Sequence, residues 1–474
     1  MSSPSDRAPR LRAVAIADAD SFVKWSAALI DRVPGIHPHL VLVRTPLTVS
    51  AAQERAALAG TTLGGRHEQG DQQRQGAVTR LSFDGLASWI AADRPDVVVV
   101  AGRGPFVRLV MREIDRVHPR PVVVTGLPGM SIPAQRGALL YRRECDLLLV
   151  HSHRELRAFT ELARRLGVHI DLALATLPYA GVAASARPAA VMPDAGGVVP
   201  REAAAEAPGT DLVFAAQAIV PRDRVDRETV ADILRRAALA DPSRRVVVKL
   251  RSRPDRGETE THFERDAYLE LLADRPANLV FSHAPMAEAL RTAEGLVTVS
   301  STAAIEAIAR GIPVIALDTF GVRKGNLNTV FGGSGLLGGA EDVIARRFRH
   351  PHPTWMRDNY FHEPADAAWW DRVEDLVARR RRGQLAPRPV PRPRGGALHA
   401  AWHRKSVLGA EDRTFAGRVA LAVGTPVVAA ILTLRRWRGR RGAGTWFDDT
   451  SDITVTPARY QDPIRRRGVS VALE

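Results

Sequence analysis

Cysteine is almost missing from this chain: Cys145 is the only one in 474 residues. No internal disulfide can form and no cysteine-based zinc site can be built, a pattern that fits a reducing cytoplasm. No G-x-S-x-G nucleophile elbow occurs. No Gly-rich loop ends in Lys-Ser or Lys-Thr, and GRG at 102–104 is too little for a dinucleotide fingerprint. The opening MSSPSDRAPRLR has no apolar core segment and predicts no secretory leader. The uncharged run at 419–434 is 16 residues long and holds Pro426, short of the roughly 20 apolar residues a spanning helix needs.

What is present suits a soluble protein with more than one core. The chain is 45% hydrophobic and 25% charged, and its length calls for two domains with extra segments. The net charge of +15 suggests nucleic acid, but its distribution does not. Residues 379–474 carry 20 Lys and Arg against 7 Asp and Glu, whereas residues 1–378 carry 47 against 45. The basicity belongs to a C-terminal appendage, which suits an anionic membrane surface or polyanion. The expected locale is the cytoplasm, at the inner face of the membrane, with no nucleic-acid partner.

Apolar, β-branched runs at 14–17, 40–44, 97–101, 122–125 and 147–150 predict strands. Segments 21–32, 51–59, 82–92, 106–117, 134–144 and 153–166 between them can form helices. Strands apolar on both faces, alternating with helices, imply a parallel sheet with helical crossovers. The pattern breaks at 184–210, rich in Ala, Pro and Gly, which reads as a linker. It restarts with strands at 211–215, 246–250, 279–281, 296–299 and 314–317, and helices at 227–239, 264–273, 286–292 and 302–310. The expected fold is α/β, with doubly wound domains at 11–183 and 211–345 and a ligand cleft at the strands' C-terminal ends. Segment 346–383 follows, with a helix at 364–382 that packs on Trp369, Trp370, Val373, Leu376 and Val377 and crosses back to the first domain. Residues 384–474 complete the chain as a Pro/Arg-rich linker and basic tail.

Five segments carry candidate chemistry. In VTVSSTAAIEAIARGIPVIAL, 297–317, Ser300, Ser301 and Thr302 sit at a strand-to-helix turn, where free N–H groups and the helix dipole favour an anion. Glu306 lies one turn after Thr302 on the same face. Lys249, Arg251 and Arg253 alternate along the end of another strand and are placed to neutralise a phosphate leaving group. His283 follows a further strand and is placed for a base or phosphate. In AIADADSFVKW, 15–25, Asp18 and Asp20 follow the first strand, Ser21 is placed to cap the next helix, and a carboxylate, Asp20 before Asp18, can serve as general base for the acceptor hydroxyl. In TGLPGMSIP, 125–133, Gly126 and Gly129 allow close backbone approach to a substrate. In FGVRKGNLNTVFGGSGLLGG, 320–339, Asn326 and Asn328 sit in a basic, glycine-rich loop able to close over a donor. His151 and His153 lie two apart without a third ligand, so no metal is expected, and no cofactor beyond the substrate itself.

The stretch 297–317 resembles the donor-binding strand–turn–helix of GT-B glycosyltransferases, and its Ser-Ser/Thr element is similar to that of sialyl- and polysialyltransferases. More broadly, IADADSFVKW, TGLPGMSIP and GNLNTVFGGSGLLGG resemble an actinobacterial family of glycosyltransferases of unassigned substrate. The resemblance implies two Rossmann-like domains of GT-B kind. It places the nucleotide phosphate at Ser300, Ser301 and Thr302, and the ribose or sugar at Glu306. It leans towards a CMP-activated acidic sugar, with UDP- and GDP-sugars close behind; the basic tail points to a cell-envelope glycan or lipid-linked acceptor. The related Lys-x-His-Pro motif is replaced here by Arg253-Pro254, which leaves no catalytic histidine at that place. Two other readings stand beside it: a nucleotide-sugar epimerase on the same fold, and a non-catalytic polyanion- or membrane-binding protein.

Overall fold

The computed structural model describes residues 11–64, 78–180, 209–251, 266–385 and 396–437. Arg253, most of the expected 184–210 linker, most of the Pro/Arg-rich segment and the tail beyond 437 lie outside the described residues. The described residues form two compact units: those up to 175 and from 364 onward make one, and those between 176 and 363 make the other.

The first unit is built on a seven-stranded parallel sheet. Its strands are β1 (Arg12–Ala17), β2 (His37–Val43), β3 (Val78–Leu81), β4 (Val97–Ala101), β5 (Val122–Gly126), β6 (Leu147–Val150) and β7 (Leu172–Leu174). Their order across the sheet is β3-β2-β1-β4-β5-β6-β7. The central strands β4, β5 and β6 are buried at every residue. Their near-continuous Val and Leu follow from helices covering both faces. The helix Asp20–Asp31 buries Phe22, Val23, Trp25, Leu29 and Ile30 against the sheet. It begins at Asp20 with Ala19 as N-cap and no side-chain cap. Ser21 therefore does not cap it, contrary to the sequence expectation: one residue inside the helix, its hydroxyl is past the position from which a cap accepts.

The helix Trp369–Arg381 belongs to this same unit. It buries Trp369, Val373 and Val377, and its Arg380 donates to the Pro95 carbonyl at 3.1 Å and to Asp96 Oδ1 at 3.0 Å. The helices Gly396–Leu408 and Phe415–Trp437 follow. The second runs through Pro426, which the sequence reading took as an interruption. Ala422 and Pro426 are both exposed, so the carbonyl that loses its partner lies on the open side of the helix.

The second unit has six parallel strands: β8 (Asp211–Ala215), β9 (Val246–Lys249), β10 (Leu279–Ser282), β11 (Ala293–Thr298), β12 (Val314–Leu317) and β13 (Leu337–Gly338). Their order is β10-β9-β8-β11-β12-β13. Phe214, Val230, Ile233, Leu234, Val248, Tyr268 and Ile315 fill its core. Both units are thus Rossmann-like and doubly wound. In each, the strand order reverses beside the first strand: between β1 and β4, and between β8 and β11. A crevice opens at the carboxyl ends of the strands at such a reversal, where ligands of this fold class bind.

Candidate functional site

The reversal in the first unit is lined by Asp18, just past β1, and by Gly102 and Arg103, just past β4. Asp18 is 1% exposed, and neither carboxyl oxygen has a hydrogen-bond partner among the described residues. Burial pushes its pKa from 3.8 up to about 7, against the lowering pull of the Arg103 guanidinium and of its own backbone N–H. Leaving a carboxyl unpaired in such a place is costly, and strongly shifted groups collect at functional sites. Asp20, by contrast, is part-exposed at the first turn of its helix.

The surroundings of Asp18 are stiff. Trp25 Nε1 donates to His151 Nε2 at 2.9 Å, so His151 carries its proton on Nδ1, which donates to the Ala175 carbonyl at 2.8 Å. This assigns His151 a buried structural role. Its neighbour His153 points elsewhere, to Asp366 Oδ2 at 3.0 Å. Gly126 is glycine because of Trp25: a Cβ there would stand 2.6 Å from Trp25 Cζ2. Arg142, 3% exposed, donates to the carbonyls of Gly126 at 3.2 Å and Gly102 at 2.8 Å, joining the ends of β5 and β4. Burial pushes its pKa down to about 10. The loop holding Gly129 is tied to the end of β6 by Glu155, whose carboxylate accepts from the backbone N–H groups of Ser131 and His151, both at 2.7 Å.

The reversal in the second unit centres on a side chain that the sequence reading did not single out. Gln217, two residues past β8, accepts from the Ser300 N–H at 2.9 Å and donates to Ser300 Oγ at 3.2 Å. Gln217 is held in turn by Arg227, which donates to its carbonyl at 3.0 Å and stacks 4.4 Å over the Tyr268 ring. The Ser301 N–H donates to Thr298 Oγ1 at 3.0 Å, and Ser301 Oγ accepts from the Ala303 N–H at 3.2 Å. These hydroxyls therefore serve the turn itself. Thr302 stands part-exposed at the start of the seven-residue helix Ala303–Ala309. Glu306 is 7% exposed and accepts from Arg310 at 3.3 Å.

Lys249 ends β9 with its side chain turned inward, 8% exposed and donating to the Leu250 carbonyl. Arg251, two residues on, is exposed, so of the two cations only Arg251 is open to solvent. His283 is part-exposed just past β10. Asn326 and Asn328 are buried in a pinned loop. Asn326 donates to the carbonyls of Phe320 and Gly321, and Asn328 to those of Leu317 and Gly321. Their amides are spent on the loop's own backbone, which corrects the picture of a free flap. Among the described residues no three His, Cys, Asp or Glu side chains come together as a metal cluster.

The structure thus brings Ser300, Ser301 and Thr302 to one reversal and Asp18 to the other. Gln217 and Arg103 complete these places, and only their position one or two residues past a strand marked them in the sequence.

Solved structures share this architecture. A "putative UDP-N-acetylglucosamine 2-epimerase" from Listeria monocytogenes superposes with a TM-score of 0.50 at 11% identity, over 80% of this chain and 98% of that one. UDP-GlcNAc 2-epimerase from Methanocaldococcus jannaschii gives 0.47 at 12%, over 77% and 99%. The glycosyltransferase SnogD from Streptomyces nogalater gives 0.36 at 15%, over 78% and 99%. At such identities the likeness is one of fold. No curated protein sequence matches the chain. A family model does match over residues 13–376, spanning both units and every candidate residue above. The chain belongs to the family described as "Putative glycosyltransferase (DUF6716)" and is an enzyme of the glycosyltransferase class.

Proposed function

We infer that the chain moves a sugar from a nucleotide-activated donor to an acceptor hydroxyl, with Asp18 as the general base. The observation that carries this is a buried, unpaired carboxyl at the β1/β4 reversal, with its pKa pushed up to about 7. A base titrating near neutral pH combines a usable ionised fraction with a strong pull on the proton. In the step proposed, the acceptor hydroxyl gives its proton to the Asp18 carboxylate as its oxygen bonds to the anomeric carbon. The bond from that carbon to the phosphate oxygen breaks, and its electron pair leaves with the nucleotide. Arg103 is the cation whose charge acts on the base.

The donor seat is the reversal in the second unit. Gln217 fixes the turn at Ser300, and the part-exposed Ser301 and Thr302 of that turn would receive the developing phosphate charge. Arg251, exposed two residues past β9, and the buried Lys249 at its end add positive potential there. No metal is needed in this scheme, because these groups carry the charge. The donor is a nucleotide sugar, with CMP-activated acidic sugars, UDP-sugars and GDP-sugars as the candidates. The acceptor is a cell-envelope glycan or a lipid-linked precursor.

The test is a thermal-shift and turnover screen over CMP-, UDP-, GDP- and CDP-sugars, run on the wild type, Asp18→Asn and Asp20→Asn. A donor that binds the native state raises the melting temperature. Transfer lost in Asp18→Asn and kept in Asp20→Asn supports the assignment, and the reverse pattern moves the base to Asp20. An epimer formed from donor alone, without acceptor, would replace transfer with the epimerase reading.

A further inference from the structure

We propose that the helical hairpin 396–437 is a membrane-docking element that lies in the plane of an anionic bilayer surface. The hairpin stands outside the region matched by the family model, which ends at residue 376, so it is an addition to the catalytic body. Its two helices pack on each other through small residues. Ala420 is fully buried, and Gly424 is glycine because a Cβ there would stand 2.5 Å from Trp402 Cδ1. The first helix holds the pair to the body: Tyr141 and His403 stack with centroids 6.3 Å apart, and Arg404 pairs with Asp84.

That arrangement leaves the opposite face of the second helix open, and that face is apolar. Phe415, Val419, Ala422, Val423, Pro426 and Ala430 recur at helical spacing along one side, and all are exposed. Five of the nine exposed large hydrophobics among the described residues fall in this hairpin: Leu398, Phe415, Val419, Leu421 and Val423. Phe415 alone is 74% exposed. A contiguous apolar face of this kind on a water-exposed helix marks a surface that is covered in use.

Charge identifies the cover. From Arg413 to Phe447 the sequence has no acidic residue and carries seven arginines. Arg413 and Arg418 stand exposed at the start of the helix, and Arg418 lies 5.9 Å from the Phe415 ring centroid. Arg435 and Arg436 stand at its end, and Arg438, Arg440 and Arg441 follow in the sequence. An apolar stripe with exposed arginines at its start, in a stretch of sequence with no acidic residue, matches a bilayer interface, with acyl chains under the stripe and anionic headgroups beside the arginines. A protein partner would need acidic groups at both ends of an apolar groove. No described helix is long and apolar enough to cross a membrane, and here one face is already taken by its partner helix, so the element lies along the surface.

The experiment is co-sedimentation of the full chain with vesicles of phosphatidylcholine alone and of phosphatidylcholine with phosphatidylglycerol in equal parts. Binding is expected to the mixed vesicles, at least tenfold above the neutral ones, and to weaken as salt is raised. The Val419→Glu/Val423→Glu double variant alters only the open face and should lose that binding tenfold or more, with unchanged far-ultraviolet circular dichroism. Arg413→Gln/Arg418→Gln should lose the anionic preference. Binding by the double variant equal to wild type, or no binding by the wild type, overturns the proposal. A wild-type dimer in light scattering that the double variant dissolves, without vesicle binding, overturns it in favour of a second copy of the chain. The outcome is independent of the catalytic assignment, because transfer to a soluble acceptor should be the same in all these variants.

Discussion

Gly102 faces Asp18 across the reversal of the first sheet: a Cβ on Gly102 would stand 3.3 Å from Asp18 Oδ1 and 2.3 Å from Phe106 Cδ1. The glycine gives room to both the carboxyl and the fully buried Phe106. Gly102→Ala must displace that ring, which should cost about 1–3 kcal/mol, the range for overpacking a core. Urea denaturation gives the figure. A stability equal to wild type would mean that the ring has room to shift.

Asp18 binds a proton more tightly folded than unfolded. Between about pH 4 and pH 7 the folded chain keeps a proton that the unfolded chain has released, so stability falls as pH rises through that window. Asp18→Asn removes this penalty and should stabilise the protein above pH 7 by on the order of 2–4 kcal/mol. The same variant should lose transfer by about 100-fold or more. In the wild type, kcat/KM should climb with pH and level off above about 7. Melting curves and rate profiles from pH 5 to about pH 9 check both halves, and a flat rate profile across neutral pH removes Asp18 as the base.

Gln217→Ala withdraws both bonds to Ser300 and leaves its buried N–H unpaired, a loss of about 1–3 kcal/mol. The turn that would hold the donor loosens, while Asp18 is untouched. The expected signature is a rise in donor KM with a smaller change in kcat, measured by initial rates over a donor series. A fall in kcat alone would separate Gln217 from donor binding.

His403 fastens the hairpin to the body as a neutral ring. Burial, and then the positive charges of Arg108, Arg112 and His399, push its pKa from 6.5 down to about 4. Protonation is easier when the ring is released, so the attachment should weaken as pH falls from about 6.5 towards 4 and hold firm above that range. Hydrogen exchange across 396–437 should quicken on acidification in the wild type. In His403→Phe, which keeps the stack on Tyr141, it should lose that dependence.

The strands β4, β6 and β12 are legible in the sequence because they are interior: buried on both faces, they are unbroken apolar runs, and β8 is one after Asp211. β3, β7 and β13 were missed, and all three lie at sheet edges. An edge strand is covered less completely, so Val78–Leu81 can carry a threonine and an arginine and no longer reads as a strand. The candidate site divides in the same way. Asp18 and the turn at Ser300 are visible because each closes a strand. Gln217 is not, because its role depends on β8 lying beside β11, some 80 residues away in sequence, and local pattern does not encode which strands are neighbours.

The helix Trp369–Arg381, which ties Arg380 to Asp96, has a consequence for biosynthesis. Among the described residues, those from Pro364 onward complete the unit that holds β1, while those of the second unit end at Glu363. During translation the described strands and helices of the later unit are therefore all made before the closing helix of the earlier one leaves the ribosome. A stop codon before residue 369 would spare the lobe with the turn at Ser300 and leave the lobe with Asp18 unfinished.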